Sequence, residues 1–188
     1  FLNATYLKTV YLPAFVSAGE RDTFKNCAAL TEVTFGPNAK TLVNNMFDGA
    51  NNLTKITILN PNSVVSTGAG LRSSNPGKIT VMVPASIYAK YKEKYENTGF
   101  AKIPFTNFQK FGASTQIGNL TYYWNVFDET EKTAYIDYVE GDVPTNFTFP
   151  ATLDGYKIVS VNKTAIAALT DVTKIVLPTN MKYLSFDN

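Results

Sequence analysis

Apolar residues recur along the first half of this chain at an interval of 23 positions. Phe1, Phe24 and Phe47 fall in register, as do Leu7, Leu30 and Leu53; Val10, Val33 and Ile56; and Leu12, Phe35 and Ile58. One further step reaches Ile79 and Val81, although Gly70 and Pro76 interrupt the first half of that fourth unit. Within a unit, residues 30–35 alternate apolar and polar side chains, with β-branched and aromatic types enriched, which predicts a short strand. Val33 and Phe35 then face inward while Glu32 and Thr34 face outward. Breakers follow each strand at Pro13, Gly36–Pro37–Asn38, Asn60–Pro61–Asn62 and Pro84. They turn the chain away, and about a dozen residues return it to the next Phe.

A period in the 20s with an L-x-x-[VI]-x-apolar core predicts a β-rich leucine-rich-repeat solenoid with one parallel strand per coil. One repeat cannot bury its own apolar face, so only the stack is stable. The outward strand position is Tyr11, Thr34, Thr57 and Thr80 in successive coils, flanked by Thr9, Glu32, Lys55 and Lys78. Rows of this kind step by roughly 4.8 Å along a sheet. Threonine is an ordinary strand former at a solvated face. If the face also holds a ligand, its contacts are Tyr11, Glu32, Thr34, Lys55, Thr57, Lys78 and Thr80. Cys27 aligns with Ala4 and Ala50, which predicts a small buried slot.

Past Pro84 the period changes. Residues 85–97 predict a short helix with Ile87, Tyr88, Tyr91 and Tyr95 on one face and Gly99 as its stop. This tyrosine stripe reads as core in a helix that caps the first stack; fully exposed, it would be a sugar platform. A soft boundary near Gly112–Ala113–Ser114–Thr115 divides the chain into a repeat block with its helical cap, 1–108, and a second part, 109–188. That part opens with a predicted hairpin, 120–127 and 133–138, with Trp124 as packing. From Phe147 the repeat logic resumes. An offset of 142 lays Leu177 over Phe35, Ile175 over Val33, Val172 over Leu30, Ile166 over Phe24 and Leu184 over Leu42. The second array is then either cut off or open at its end. The 28-residue spacing from Phe149 to Leu177 argues against one uninterrupted solenoid.

Composition narrows the function. The 188 residues carry a net charge of +2 and no histidine, so the usual neutral-pH base and commonest metal ligand are missing. No basic stripe suggests nucleic acid, and one cysteine excludes an intrachain disulfide. No apolar run approaches the ~18 residues of a membrane span. Phe1 sits at an internal repeat position, so the chain is expected to be the ordered or mature part of something longer, with a signal peptide upstream. Phosphate-cradle and nucleophile-elbow motifs are absent. Glu129 with Glu131, or Asp137 with Glu140 and Asp142, are the available carboxylate pairs, set in turns where such groups are normally solvated. No metal site or cofactor is expected. Five N-x-[ST] sequons occur, at Asn3, Asn52, Asn119, Asn146 and Asn162; they matter only in a glycosylating host.

The runs Phe24-Lys-Asn-Cys-Ala-Ala-Leu-Thr-Glu-Val-Thr-Phe35 and Phe47-Asp-Gly-Ala-Asn-Asn-Leu-Thr-Lys-Ile-Thr-Ile58 resemble the BspA-like family of bacterial leucine-rich-repeat surface proteins. The V-P-A-S-x-Y-x-x-Y-K run at 83–92 resembles the segment closing such arrays, and residues 155–161 the entry to a new one. The resemblance covers roughly 1–98 and 140–188. It implies a secreted or cell-surface, non-catalytic adhesion module that binds a protein or host-matrix ligand. A carbohydrate-binding or substrate-capture module and a structural spacer are the alternatives.

Overall fold

Strands form where the alternation predicts them, and they pair side by side. The computed structural model describes residues 1–14, 21–67 and 75–185, with backbone alone at 184 and 185; Gly70 lies outside the described residues. Two compact units result, Phe1–Phe111 and Gly112–Asn188. The first contains β1 (Thr9–Leu12), β2 (Glu32–Phe35), β3 (Thr41–Leu42), β4 (Lys55–Ile58), β5 (Ser66–Thr67), β6 (Thr80–Pro84), α1 (Ala85–Tyr95) and β7 (Phe108–Phe111). Strands β1, β2, β4, β6 and β7 make one parallel sheet in that order.

The register agrees with the 23-residue period for three strands and then departs from it. Val10 faces Val33 and Val33 faces Ile56, but Ile56 faces Val81 rather than Ile79. The expected row through Ile79 is therefore corrected by two residues. The smaller parallel pair shows where they enter. Phe35 pairs with Ile58, 23 positions on, whereas Thr41 pairs with Ser66, 25 positions on. The added residues lie between Ile58 and Ser66, and buried Asn60 organises them. Its Oδ1 accepts from the Asn62 and Ser63 amides at 2.8 and 3.1 Å; its Nδ2 donates to Ala39 O at 2.6 Å and Ser63 Oγ at 3.0 Å. All four hydrogen-bonding positions of the amide are used.

The core is a set of ladders. Phe1 stacks on Phe24 at 5.4 Å between ring centroids, and Phe24 on Phe47 at 5.6 Å, nearly coplanar in both cases. Leu30, Val33, Phe35, Leu53, Ile56 and Ile58 close around them, fully buried. The turn after each Phe needs a left-handed residue two positions on, supplied by Asn3, Asn26 and Gly49 at φ 62°, 59° and 74°. Asparagine and glycine tolerate that conformation best. The turns also bond to one another: Asn26 Nδ2 donates to Asn3 Oδ1 at 3.0 Å, and the Asn26 amide to Asp48 O at 2.7 Å. Threonines add rungs, with Thr31 Oγ1 donating to Lys8 O and Thr54 Oγ1 to Thr31 O. Cys27 is buried as expected and its thiol donates to Phe1 O at 3.0 Å.

Helix α1 buries Ala85, Ile87, Tyr91 and Tyr95 against this core. It connects β6 to β7, so the sheet ends on β7 and not at the helix. The phenols of Tyr91 and Tyr95 clip one residue between them. Tyr91 Oη accepts from the Val65 amide and Tyr95 Oη donates to the Val65 carbonyl, each at 2.9 Å. Burial pushes the Tyr91 phenol far above its ordinary range, so it stays a neutral hydroxyl. Tyr91→Phe strands a buried amide and should cost about 1–3 kcal/mol in a urea titration.

The second unit contains β8 (Ala113–Ile117), β9 (Leu120–Asp128), β10 (Thr133–Glu140), β11 (Asn146–Thr148), β12 (Thr152–Leu153), β13 (Tyr156–Asn162), α2 (Lys163–Ala167), β14 (Lys174–Val176) and β15 (Tyr183–Ser185). The predicted hairpin is β9 with β10, antiparallel, and β8 extends it on the far side of β9. Its turn is an Asx turn, Asp128 Oδ1 accepting from the Thr130 and Glu131 amides. Strand β13 lies parallel to both β10 and β15. Trp124 is buried, packs tilted against Tyr156 at 5.1 Å between ring centroids, and donates to Thr115 Oγ1 at 2.8 Å. Separately, β11 and β14 pair in parallel, with Phe147 opposite Ile175.

Candidate functional site

The outward face of the first unit's sheet is where sequence reasoning places a ligand, and the pairing decides which residues it gathers. Tyr11, Thr34 and Thr57 form the expected central row. It continues through Met82 and Gln109, not Thr80. Thr80 stands instead opposite Lys55, which continues the row Thr9, Glu32, Lys55. Lys78 is off the sheet altogether, in a 3₁₀ turn over Pro76–Lys78. The two-residue enlargement of the preceding coil causes all three differences. A slip of two keeps every side chain on its face, so Thr80 remains outward but moves one row.

These positions differ in access. Tyr11 is 58% exposed at the β1 edge, whereas Thr57, in mid-row, is only 5% exposed. Lys55 Nζ meets Glu32 Oε2 at 3.4 Å across neighbouring strands. Both groups are about half exposed, so the pair contributes roughly 0–1 kcal/mol and serves more as a charge pattern than as a brace. Met82 and Gln109 were missed because the strand carrying Gln109, F-Q-K-F, lies 27 residues beyond β6's matching position rather than 23 (Val81 opposite Phe108).

The helix stripe is not a sugar platform. Tyr91 and Tyr95 are buried, and Tyr88, half-buried, packs on Phe105 at 5.3 Å.

Three of the carboxylates nominated from sequence, Glu129, Asp137 and Glu140, are held as charge or hydrogen-bond partners. Glu129 accepts from Lys132 Nζ and from Tyr156 Oη, the latter at 2.8 Å to Oε2. The Lys132 and then the Tyr156 bond pull the Glu129 carboxyl below its ordinary range, and the Glu129 and then the Tyr156 bond raise Lys132. Asp137 is buried and accepts from Asn162 Nδ2 at 2.9 Å, and Glu140 accepts from Tyr123 Oη at 2.6 Å. Among the described residues, no group of three or more His, Cys, Asp or Glu is placed to hold a metal ion. Among them, too, no helix is long and apolar enough to cross a membrane.

A parallel sheet built on stacked Phe turns, with a wide outward wall, is the arrangement of a strand-rich repeat protein used for interaction. The family model for the BspA-type leucine-rich repeat region matches residues 1–123 in six copies. The chain belongs to that family. No curated protein and no solved structure matches it.

Proposed function

We propose that the chain is a non-catalytic recognition module, secreted or held at the cell surface, whose first-unit sheet binds a protein ligand of the host-matrix kind. One observation carries this reading. Five parallel strands place Tyr11, Thr34, Met82 and Gln109 in one row beside Glu32, Lys55 and Thr80 in the next. That wall is about 19 Å wide at ~4.8 Å per strand step, and repeat proteins use such extended surfaces for binding. An exposed tyrosine beside an ion pair is a common anchor of protein interfaces. The membership of residues 1–123 in a repeat family of this type supports the same role. We read the second unit as the start of a second repeat block behind its hairpin. The parallel pairing of Phe147 with Ile175, 28 positions apart, supports that division.

Binding of this chain to a panel of immobilised matrix proteins tests the proposal, with Tyr11→Ala and Lys55→Glu as variants. Saturable binding that both variants weaken at least tenfold, with unchanged circular dichroism, is the expected result. No binder in the panel, or a binder indifferent to both substitutions, overturns it.

A further inference from the structure

The second unit carries a cleft of about 420 Å³ lined by Phe127, Tyr135, Ser160, Asn162 and Tyr183. Its floor comes from strand pairing. Ser160 on β13 lies opposite Tyr135 on β10 and opposite Tyr183 on β15, so three strands bring these residues into one row. Asn162 stands two positions along from Ser160, on the same face. Phe127 stacks on Tyr183 at 5.4 Å, and the two rings are 54% and 52% exposed. An aromatic pair half open to water forms one wall, and a polar floor meets it.

The floor offers open hydrogen-bonding groups. Ser160 is only 5% exposed, yet its hydroxyl has no hydrogen-bond partner among the described residues, and neither does the Tyr135 phenol. Both hydroxyls line the open cleft, where water or the hydroxyls of a guest can bond them. Burial, and then the charge of Asp137, raise the Tyr135 phenol, so it remains a donor at neutral pH. Asn162 is held by its Nδ2 bond to Asp137 Oδ1 at 2.9 Å, which leaves its own carbonyl oxygen as an acceptor.

We propose that this cleft is a binding site for a neutral sugar ring, the pyranose stacking on Phe127 and Tyr183 while its hydroxyls bond Tyr135, Ser160 and Asn162. A pyranose offers an apolar C–H face rimmed by groups that both donate and accept, which matches this wall and this floor. A purely apolar peptide side chain would leave Ser160 unsatisfied. Among the described residues, no charged side chain lines the cleft itself. The volume lies within the ~300–1,000 Å³ usual for small-ligand sites. The inference is independent of the sheet-face reading, since every residue in it belongs to the other unit.

The test is an amide-resolved NMR titration of the whole chain with glucose, galactose, mannose and N-acetylglucosamine, then with a polyproline peptide. Saturable shifts at Tyr135, Ser160 and Asn162 with at least one sugar, in the millimolar range, are expected. Phe127→Ala and Tyr183→Ala remove half-exposed rings and leave the core packing intact; each should weaken that binding at least tenfold. Ser160→Ala should weaken it without altering the spectrum elsewhere. The proposal is overturned if no sugar gives saturable shifts at these amides, if the shifts survive both ring deletions, or if only the peptide saturates the site.

Discussion

Phe24→Ala should lower the stability of the first unit by about 3–5 kcal/mol, the usual cost of emptying a buried phenylalanine site. The ring is fully buried between Phe1 and Phe47, so its loss unstacks both neighbours and opens the centre of the ladder. Phe1→Ala should cost much less, because Phe1 is largely exposed and touches the ladder on one side only. Urea titration followed by circular dichroism checks the difference. Trp124 lies in the second unit, so its fluorescence shows whether that unit responds. Phe24→Ala and Phe47→Ala share one cavity, and their combined effect should depart from the sum of the two. Equal costs for Phe1→Ala and Phe24→Ala would mean that the ladder is not the core.

Gly36→Ala should be the most damaging methyl addition among the described glycines. A Cβ at Gly36 would lie 2.0 Å from Pro13 O and 2.6 Å from Pro13 C. Both are backbone atoms of the neighbouring coil, so no side chain can swing aside. The Gly36 amide also donates to Leu12 O at 3.0 Å and holds the two coils at this distance. Relief requires parting β1 from β2, at about 3 kcal/mol, the upper end of ordinary overpacking. The control is Gly77→Ala, where an added methyl meets nothing within 4 Å; it should stay within about 0.5 kcal/mol of the parent. A neutral Gly36→Ala would show that β1 is not packed as described.

The parts of the fold legible in the sequence are those that repetition writes out. The rows Val10–Val33–Ile56 and Leu12–Phe35–Ile58 were readable because identical coils must pair identical positions. Helix α1 was readable from the spacing of Ile87, Tyr91 and Tyr95. The fourth step was not, because counting by 23 cannot see that Asn60 folds two more residues into the preceding turn. The error kept its phase: an even slip leaves inward residues inward, so Val81 replaced Ile79 within the sheet while both are buried.

The candidate site was legible only in part, for the same reason. Tyr11, Thr34, Glu32 and Lys55 stand in the rows expected of them; Met82 and Gln109 join the central row from strands outside the period. Strand β7 follows a helix, and no strand 23 residues earlier predicts partners for its Phe108 and Phe111. The cleft in the second unit was invisible at this level. Tyr135, Ser160 and Tyr183 meet through two parallel pairings, one of which shifts register between Ala134 and Tyr135. No local alternation encodes a partner chosen at that range.

The sheet register underlies every functional statement about the first unit, and backbone NOE contacts measure it directly. Cross-strand contacts joining Lys55 to Thr80, Ile56 to Val81 and Val81 to Phe108 are the predicted result. Contacts that set Thr57 against Thr80 and Ile56 against Ile79, with none from β6 to Phe108, would contradict it.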